Sequence, residues 1–320
     1  MSAAAIWPLG VPTSELAPPS DLAPPDGLPA APRRIRIGMP QLDVGGLSEG
    51  WLYRACGDLH WEAIGRELGV SSDGFRAEAG QRLYPTVVAL RARYGAPLAA
   101  VQENDVLGAK VLVKPCGRAC AHGRVDLTIA GRRSSVELLT TFAVHEPGGG
   151  LRMAVPAPEL AERWLVEGAD TPPTIVRLAK AARAGQALDD DFCGPSLRPA
   201  GPALGRFAYE PSPYADYNGA GLLYFAAYVT IADTAERALV RRLELSPRPR
   251  TDWALATSAV RRAVFFYANL ALGEPLVVDL LRFELSGVRG VKTHLRLSRP
   301  SDGQIMADLI TERRFVREGT

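Results

Sequence analysis

Pro213-Tyr214-Ala215-Asp216-Tyr217-Asn218-Gly219-Ala220-Gly221-Leu222-Leu223-Tyr224-Phe225-Ala226-Ala227-Tyr228 passes from a polar, glycine-containing loop directly into an apolar run. Apolar residues continue at helical spacing as far as Leu239, so a long helix is predicted over 222–239 with Asp216 and Asn218 just ahead of it. The first N–H groups of a helix lack intrahelical acceptors, and the helix dipole adds partial positive charge there. Such an end can hold a carbonyl oxygen while it becomes an oxyanion. Asp216 and Asn218 are therefore candidate catalytic residues, with simple helix capping as the alternative role for each.

Strand-like segments flank that helix: 207–210 before it, then 257–266, 275–285, 292–298 and 304–315. The same order stands upstream. Arg34-Ile35-Arg36-Ile37-Gly38-Met39 alternates as a first strand, and Trp61, Ile64 and Leu68 share one face of an amphipathic helix that Gly69 ends. Strands are then predicted over 83–91, 106–113, 123–129 and 135–144. Val125 to Gly131 leads into 136–144 much as Thr293 to Leu297, with the Ser301-Asp302-Gly303 turn, leads into 305–310. The simplest account is internal duplication of one helix-plus-antiparallel-sheet unit, an α+β fold. The predicted organisation is a proline-rich, disordered leader over 1–32, a first unit over 33–147, a connector over 148–205 and a second unit over 206–320. Two short helices are expected in the connector, at 158–167 and 174–184.

Composition excludes several classes. The chain has 320 residues, 47% of them hydrophobic and 22% charged, which is ample core material for a globular protein. Lys and Arg number 37 against 35 Asp and Glu, a net charge of +2 with the basic residues spread out, so no nucleic-acid partner is expected. Only four cysteines occur and no export signal precedes the first strand, which points to a reduced, cytoplasmic setting. The most apolar stretch, 222–232, contains Tyr224, Tyr228 and Thr230 and is too short to span a bilayer, so no membrane partner is expected. Cys116, Cys120 and His122 are plausible zinc ligands by type, but Cys56 and Cys193 lack paired spacing to complete a site; no metal is expected, and a hairpin turn accounts for the run. Gly148-Gly149-Gly150 lacks the lysine of a phosphate loop.

The run at 213–228 resembles the hot-dog thioesterase and dehydratase superfamily, in which an acid or asparagine precedes the central helix. That superfamily's Gly-x-x-x-Phe-x-x-Tyr pattern matches Gly221, Phe225 and Tyr228. Phe266-Tyr267-Ala268-Asn269-Leu270-Ala271-Leu272-Gly273-Glu274-Pro275-Leu276 is similar to its strand and Gly-acid turn. In the first half, Met39-Pro40-Gln41-Leu42, Gly45-Gly46-Leu47-Ser48-Glu49, Trp51-Leu52, Gly57-Asp58-Leu59-His60-Trp61 and Gly80-Gln81-Arg82-Leu83-Tyr84 narrow the likeness. Together with Asp216-Tyr217-Asn218-Gly219 they resemble the double-hot-dog proteins of polyketide biosynthesis, typified by the bifunctional acyltransferase/decarboxylase of the leinamycin pathway, over residues 34–316. The chain departs from that pattern at His60, where a small polar residue is expected.

The resemblance implies a tandem (double) hot-dog fold with an active cleft where the halves meet. It further implies that methylmalonyl-CoA is decarboxylated and its propionyl group passes through a tyrosyl ester to the phosphopantetheine arm of an acyl carrier protein. CoA thioester and carrier protein are then the partners, no cofactor is bound, and a homodimer is left open. Tyr84, at the start of a strand expected to border the cleft, is the first candidate nucleophile and Tyr53 the second. His60 is a candidate general acid or base, with a structural role as the alternative. Gly57, Asp58, Gly219 and Tyr224 are expected to border the substrate.

The chemistry itself weighs the options. Losing carbon dioxide from a malonyl-type thioester leaves an enolate without any proton abstraction, so an oxyanion donor helps and a nearby carboxylate repels. Asp216 pointing inward would instead suit a thioesterase, as general base for water, while Asn218 serves either reaction. A thioesterase or dehydratase is therefore the enzymatic alternative, and a non-catalytic module binding acyl-CoA or acyl carrier protein is the alternative of another class.

Overall fold

In chain order the elements are β1 (Arg33–Arg36), β2 (Leu42–Asp43), β3 (Gly46–Leu47), α1 (Glu49–Leu68), β4 (Tyr84–Arg93), β5 (Val106–Pro115), β6 (Cys120–Ile129), β7 (Arg132–His145) and β8 (Leu151–Met153). There follow α2 (Pro158–Trp164), α3 (Thr174–Arg183), β9 (Gly205–Tyr209), α4 (Phe225–Arg242), α5 (Trp253–Ala256), β10 (Thr257–Phe266), β11 (Leu276–Ser286), β12 (Gly290–Ser298) and β13 (Ile305–Phe315). This computed structural model describes residues 32–146, 151–164, 172–186, 190, 192–193, 201–286 and 290–316. Of the expected leader only Pro32 falls within that set; the Gly148-Gly150 run and much of the connector lie outside it.

Among the described residues, one continuous antiparallel sheet runs β1-β5-β6-β7-β4-β10-β13-β12-β11-β9, with β8 paired to β7 and β2-β3 forming a separate hairpin. From either edge inward the order is the same: the first, third, fourth, fifth and second long strands of that half. The duplication inferred from element order is thus a topological repeat, and the halves join where β4 pairs with β10. That pairing covers only Ala89 to Arg93 against Arg261 to Phe265. Towards Tyr84 the strands part, beyond a bulge in β4 between Val87 and Ala89.

One sheet face is packed by α1 and α4. Leu52, Tyr53, Cys56 and Leu59 of α1 and Ala227, Ile231, Ala235 and Leu239 of α4 share a buried cluster with Leu90, Val125, Val264 and Leu309 from the strands. Each leucine, isoleucine or valine side chain among them contributes about 1.5–3 kcal/mol when removed from water. The opposite face is covered across the seam by α3, where Ile175, Leu178 and Ala182 pack on Ala89, Leu139, Ala263, Phe265 and Ile310. The alternation of Ala263 and Phe265 with Val264 and Phe266 sends β10 side chains to both clusters, so the end of this central strand from Ala263 to Phe266 is apolar on both faces.

Sequence and structure differ on the two long helices. Gly57-Asp58 reads as a helix start, yet α1 already begins at Glu49 and places Gly57 in its interior. The glycine is there for packing: a Cβ at Gly57 would lie 2.9 Å from Phe225 Cζ, and one at Gly50 would lie 2.8 Å from Thr230 Oγ1. These two bare positions let α1 cross α4 closely. Gly69 does end α1, in the left-handed conformation at φ 66° with its N–H bonded to Arg66 and Gly65 carbonyls. The second helix starts at Phe225 rather than Leu222, because residues 216–223 are held in a hairpin-like loop. In that loop Asn218 N donates to Leu222 O at 2.9 Å and Tyr217 bridges Leu223. No helix among the described residues is long and apolar enough to cross a membrane.

Candidate active site

Where β4 and β10 part, the gap opens into a cavity of about 550 Å³. The first half supplies Trp61 from α1, Phe75, Arg82 to Val88 along the start of β4, Thr141 and Ala143 of β7, and Leu151 and Met153 of β8. The second supplies Asn218, Leu222 to Phe225, Tyr228 and Phe266 to Asn269, and α3 adds Arg183. Aromatic rings set the walls: Tyr224 meets Trp61 at 6.1 Å and Phe225 at 4.8 Å, and Tyr228 meets Phe266 edge-on at 5.2 Å. A volume of this size suits a small acyl chain with part of its carrier.

The polar groups in that wall are tied down from behind. Asn218 Oδ1 accepts from Ala220 N at 3.0 Å and Leu222 N at 3.1 Å. Those bonds fix which end of the amide is oxygen and leave its NH2 as the donor available to the cavity. Asn269 clamps the same loop, accepting from Leu223 N and donating to Leu223 O, both at 3.0 Å. Tyr217 and Tyr228 anchor the segment after β10 by donating to Ala271 O at 2.8 Å and Ala268 O at 3.2 Å. Trp61 Nε1 donates to Pro85 O at 3.1 Å and so fixes α1 to the start of β4.

Tyr84 is half-buried in this wall, with its ring edge-on to His145 at 5.3 Å and the Arg82 guanidinium 5.0 Å over its face. No hydrogen bond ties its hydroxyl to another described residue. The other cavity phenols are engaged or suppressed. Tyr267 donates to Asp308 at 3.0 Å, and burial together with that carboxylate pushes its phenol far up. Burial, with the Asp58 carboxylate in support, pushes Tyr224 up as well. Among the described residues that line the cavity there are two arginines and no aspartate, glutamate, histidine or cysteine.

The structure therefore brings together Tyr84, Asn218 and Tyr224 and leaves the other expected site residues outside the cavity. Asp216 is 5% exposed and turned away, its carboxylate accepting from Tyr209 OH at 3.0 Å and Ser212 N at 2.8 Å. Burial and this carboxylate push the Tyr209 phenol up to about 12. Gly219 sits on an exposed turn with open space around it, and Asp58 is exposed on α1. Tyr53 is fully buried, donating to Glu49 at 2.6 Å and accepting from Tyr94 at 2.7 Å; burial and then the Glu49 charge drive its phenol well above the ordinary value. It stands in the core at the start of α1, outside the cavity lining.

His60 also stands outside the cavity lining. It lies in the interior of α1 rather than at its beginning, is fully buried, and has Nε2 3.1 Å from Thr140 Oγ1. Burial, with His122 nearby, pushes its pKa down to about 3, so the ring is neutral. Cys116 and Cys120 face each other across the β5–β6 turn, Cys116 N donating to Cys120 O at 2.8 Å. Among the described residues no three His, Cys, Asp or Glu side chains are grouped to hold a metal ion. Sequence reasoning missed Thr86, Thr141, Arg183 and Asn269 as cavity residues. Asn269 stands in a run that had already drawn notice, whereas Arg183 reaches the site from a connector helix and carries no local signal.

No protein-family model matches the chain, and no curated protein matches it. Solved structures do. A structure described as that of an oleoyl thioesterase from Lactobacillus plantarum superposes with a TM-score of 0.62 at 13% identity, covering 90% of this chain and 95% of that one. A 12:0-ACP thioesterase from Umbellularia californica gives 0.58 at 10% identity, covering 89% and 94%. An acyl-ACP thioesterase from Bacteroides thetaiotaomicron gives 0.52 at 12% identity, covering 89% and 97%. At these identities the likeness is one of fold. The chain has the α+β tandem (double) hot-dog fold, each half a long helix wrapped by its part of the antiparallel sheet.

Proposed function

We propose that this chain acts on acyl thioesters, as an acyltransferase/decarboxylase that takes a (methyl)malonyl-type acyl group from CoA and passes its decarboxylated product to an acyl carrier protein. The observation that carries this reading is that Tyr84, whose hydroxyl has no hydrogen-bond partner among the described residues, and the amide donor Asn218 line one largely apolar cavity, whose described lining holds no carboxylate or histidine.

With the acyl group in the cavity, Tyr84 Oη attacks the thioester carbonyl and the Asn218 NH2 donates to the oxygen as it takes up negative charge. The C–S bond breaks and the departing CoA thiolate takes the phenol proton, leaving an acyl-O-tyrosine ester and free CoA. In the decarboxylation the C–C bond to the carboxylate breaks, its electron pair forms an enolate, and carbon dioxide leaves. A solvent proton then converts the enolate to propionyl. The apolar wall favours loss of the charged carboxylate, and no carboxylate among the described lining residues repels the enolate. The thiol of the carrier's phosphopantetheine finally displaces Tyr84, which regains its proton.

Thioester hydrolysis is the second reading, favoured by the thioesterases named above, with which the chain shares its fold. Against it stands the want of a base for water among the described lining residues, the Asp216 carboxylate being bonded to Tyr209 and Ser212 outside the cavity. Mass spectrometry of the protein after incubation with malonyl-, methylmalonyl- and propionyl-CoA tests both. A propionyl mass gained from methylmalonyl-CoA by the wild type and not by Tyr84→Phe is expected. Free acid released with no covalent gain would replace the transfer reading with hydrolysis, and neither product would leave a binding module.

A further inference from the structure

Two exposed arginines stand at the cavity, each attached to one side of the gap that forms it. Arg82 precedes β4 and lies over the Tyr84 ring at 5.0 Å, while Arg183, the last residue of α3, donates from Nη2 to Phe266 O at 3.2 Å. Tyr84 begins β4 and Phe266 ends β10, so the two guanidinium groups flank the opening between the separated strands. Elsewhere the exposed arginines of this chain are commonly paired: Arg237 grips Asp252 through two nitrogens, as Arg206 grips Asp279. No carboxylate lies within ion-pair distance of Arg82 or Arg183 among the described residues. The described residues of the cavity lining include no acid to neutralise them.

Two exposed guanidinium groups that form no ion pair among the described residues, Arg82 having only the more distant Asp73 charge in its field, suit at this largely apolar cavity a ligand that is apolar at one end and anionic where it emerges. Guanidinium presents paired N–H donors that match phosphate oxygens, which makes this an apt phosphate-binding pair. Tyr84 and Asn218, the groups proposed to meet the thioester, line the same cavity as the two arginines. We infer that Arg82 and Arg183 form a phosphate-binding rim that holds the 4′-phosphate of a pantetheine arm, whether that arm belongs to CoA or to a carrier protein. The inference rests on the acyl-thioester reading and adds to it the means of recognising the arm.

The rim does not suit the carboxylate of a malonyl group. The rest of the described lining is mainly apolar and aromatic and holds no further cation for such a carboxylate. A cation gripping that carboxylate would also stabilise the ground state and oppose loss of carbon dioxide.

The test compares three propionyl thioesters: of CoA, of a phosphopantetheinylated carrier protein, and of N-acetylcysteamine, which carries no phosphate. The readout is the ratio of kcat/KM for each phosphate-bearing thioester to that for the cysteamine thioester, in wild type and in Arg82→Gln/Arg183→Gln. Both ratios are expected to fall, by about tenfold for each arginine removed. Unchanged ratios, whatever the fall in overall activity, would overturn the rim, since loss of structure lowers all three substrates together. A fall with CoA alone would assign the contact to the nucleotide phosphates, and a fall with the carrier alone would assign it to the carrier surface; either result overturns the shared phosphate. If the wild type turns over none of the three, the acyl-thioester reading fails. In that event calorimetric titration with free CoA, unchanged between wild type and variant, would overturn the rim separately.

Discussion

Arg262 Nη2 donates to Glu49 Oε2 at 2.5 Å, a contact that spans 213 residues of chain and joins the first turn of α1 to β10. Arg262 Nε adds a bond to Glu49 Oε1 at 3.1 Å, and the guanidinium is fully buried. Asp233 of α4 also accepts from Arg262, at 3.0 Å, and Arg313 of β13 bonds Glu236 at 2.9 Å. Burial acts to raise the Glu49 carboxyl, but Arg262 and the Tyr53 hydroxyl hold it below the usual range. The two halves are thus locked through charges that none of the participating segments could satisfy alone.

Removing one partner of this network strands the other. Arg262→Met should lower stability by about 3–5 kcal/mol, because Glu49 would stay buried without its counter-charge. Thermal unfolding of Arg262→Met and of the double variant with Glu49→Gln checks this. The double variant should recover part of the loss, and additive losses would argue against direct coupling.

His60 should set part of the acid limb of stability. Its folded pKa, about 3, lies below the ordinary 6.5, so between those values the unfolded chain binds a proton that the folded chain does not. Stability contributed by neutral His60 is then fully present above 6.5 and declines as pH falls towards 3, by at most about 1.4 kcal/mol per pH unit. Denaturant unfolding from pH 7 to 4 should show the difference between wild type and His60→Asn narrowing as pH falls. A constant difference would show that the ring does not titrate this way.

Gly123 and His60 should be coupled. A methyl group at Gly123 would come 2.0 Å from His60 Nδ1, a clash against a ring with no room to retreat. Gly123→Ala should cost about 1–3 kcal/mol through overpacking. Repeating it in a His60→Ala background should remove most of that cost in thermal unfolding; an equal cost in both backgrounds would place the strain elsewhere.

Asn218 and Asp216 should separate in activity. Asn218→Asp keeps the shape and replaces the donor with an acceptor, so kcat for the thioester should fall about 10²–10³-fold, the usual cost of losing an oxyanion donor. Asp216→Asn should be the milder change, since the carboxylate faces Tyr209 and Ser212 rather than the cavity. Steady-state rates in the opposite order would restore Asp216 as a base and favour hydrolysis.

Tyr53→Phe distinguishes a core tyrosine from a nucleophile. It deletes the donor to Glu49 and the acceptor of the Tyr94 proton, and Tyr94, 2.9 Å from Glu49, can turn its proton to the carboxylate instead, so about 1–2 kcal/mol of stability should be lost. Acyl labelling by methylmalonyl-CoA should persist, as read by intact-mass spectrometry. Loss of label with an unchanged thermal midpoint would return Tyr53 to the reaction.

Much of the fold was legible in local pattern. The alternation from Thr257 to Phe266, the glycine stop at Gly69 and the repeated order of helix and strands depend only on neighbours along the chain, so the α+β duplication could be read from them. The loop before Phe225 and the strand start at Tyr84 were recognised for the same reason, and both reach the cavity. Tertiary structure alone decided which polar residues face that cavity. Gly57 serves the α1–α4 crossing, His60 fills the space left by Gly123, Tyr53 serves a buried ion pair, and Asp216 turns to Tyr209. Arg183 enters from a helix packed on the other sheet face. Residue type and spacing fix what a side chain can do, but its direction is set by whichever distant partner satisfies its charge, hydrogen bonds or volume, and those partners are assembled only when β4 meets β10.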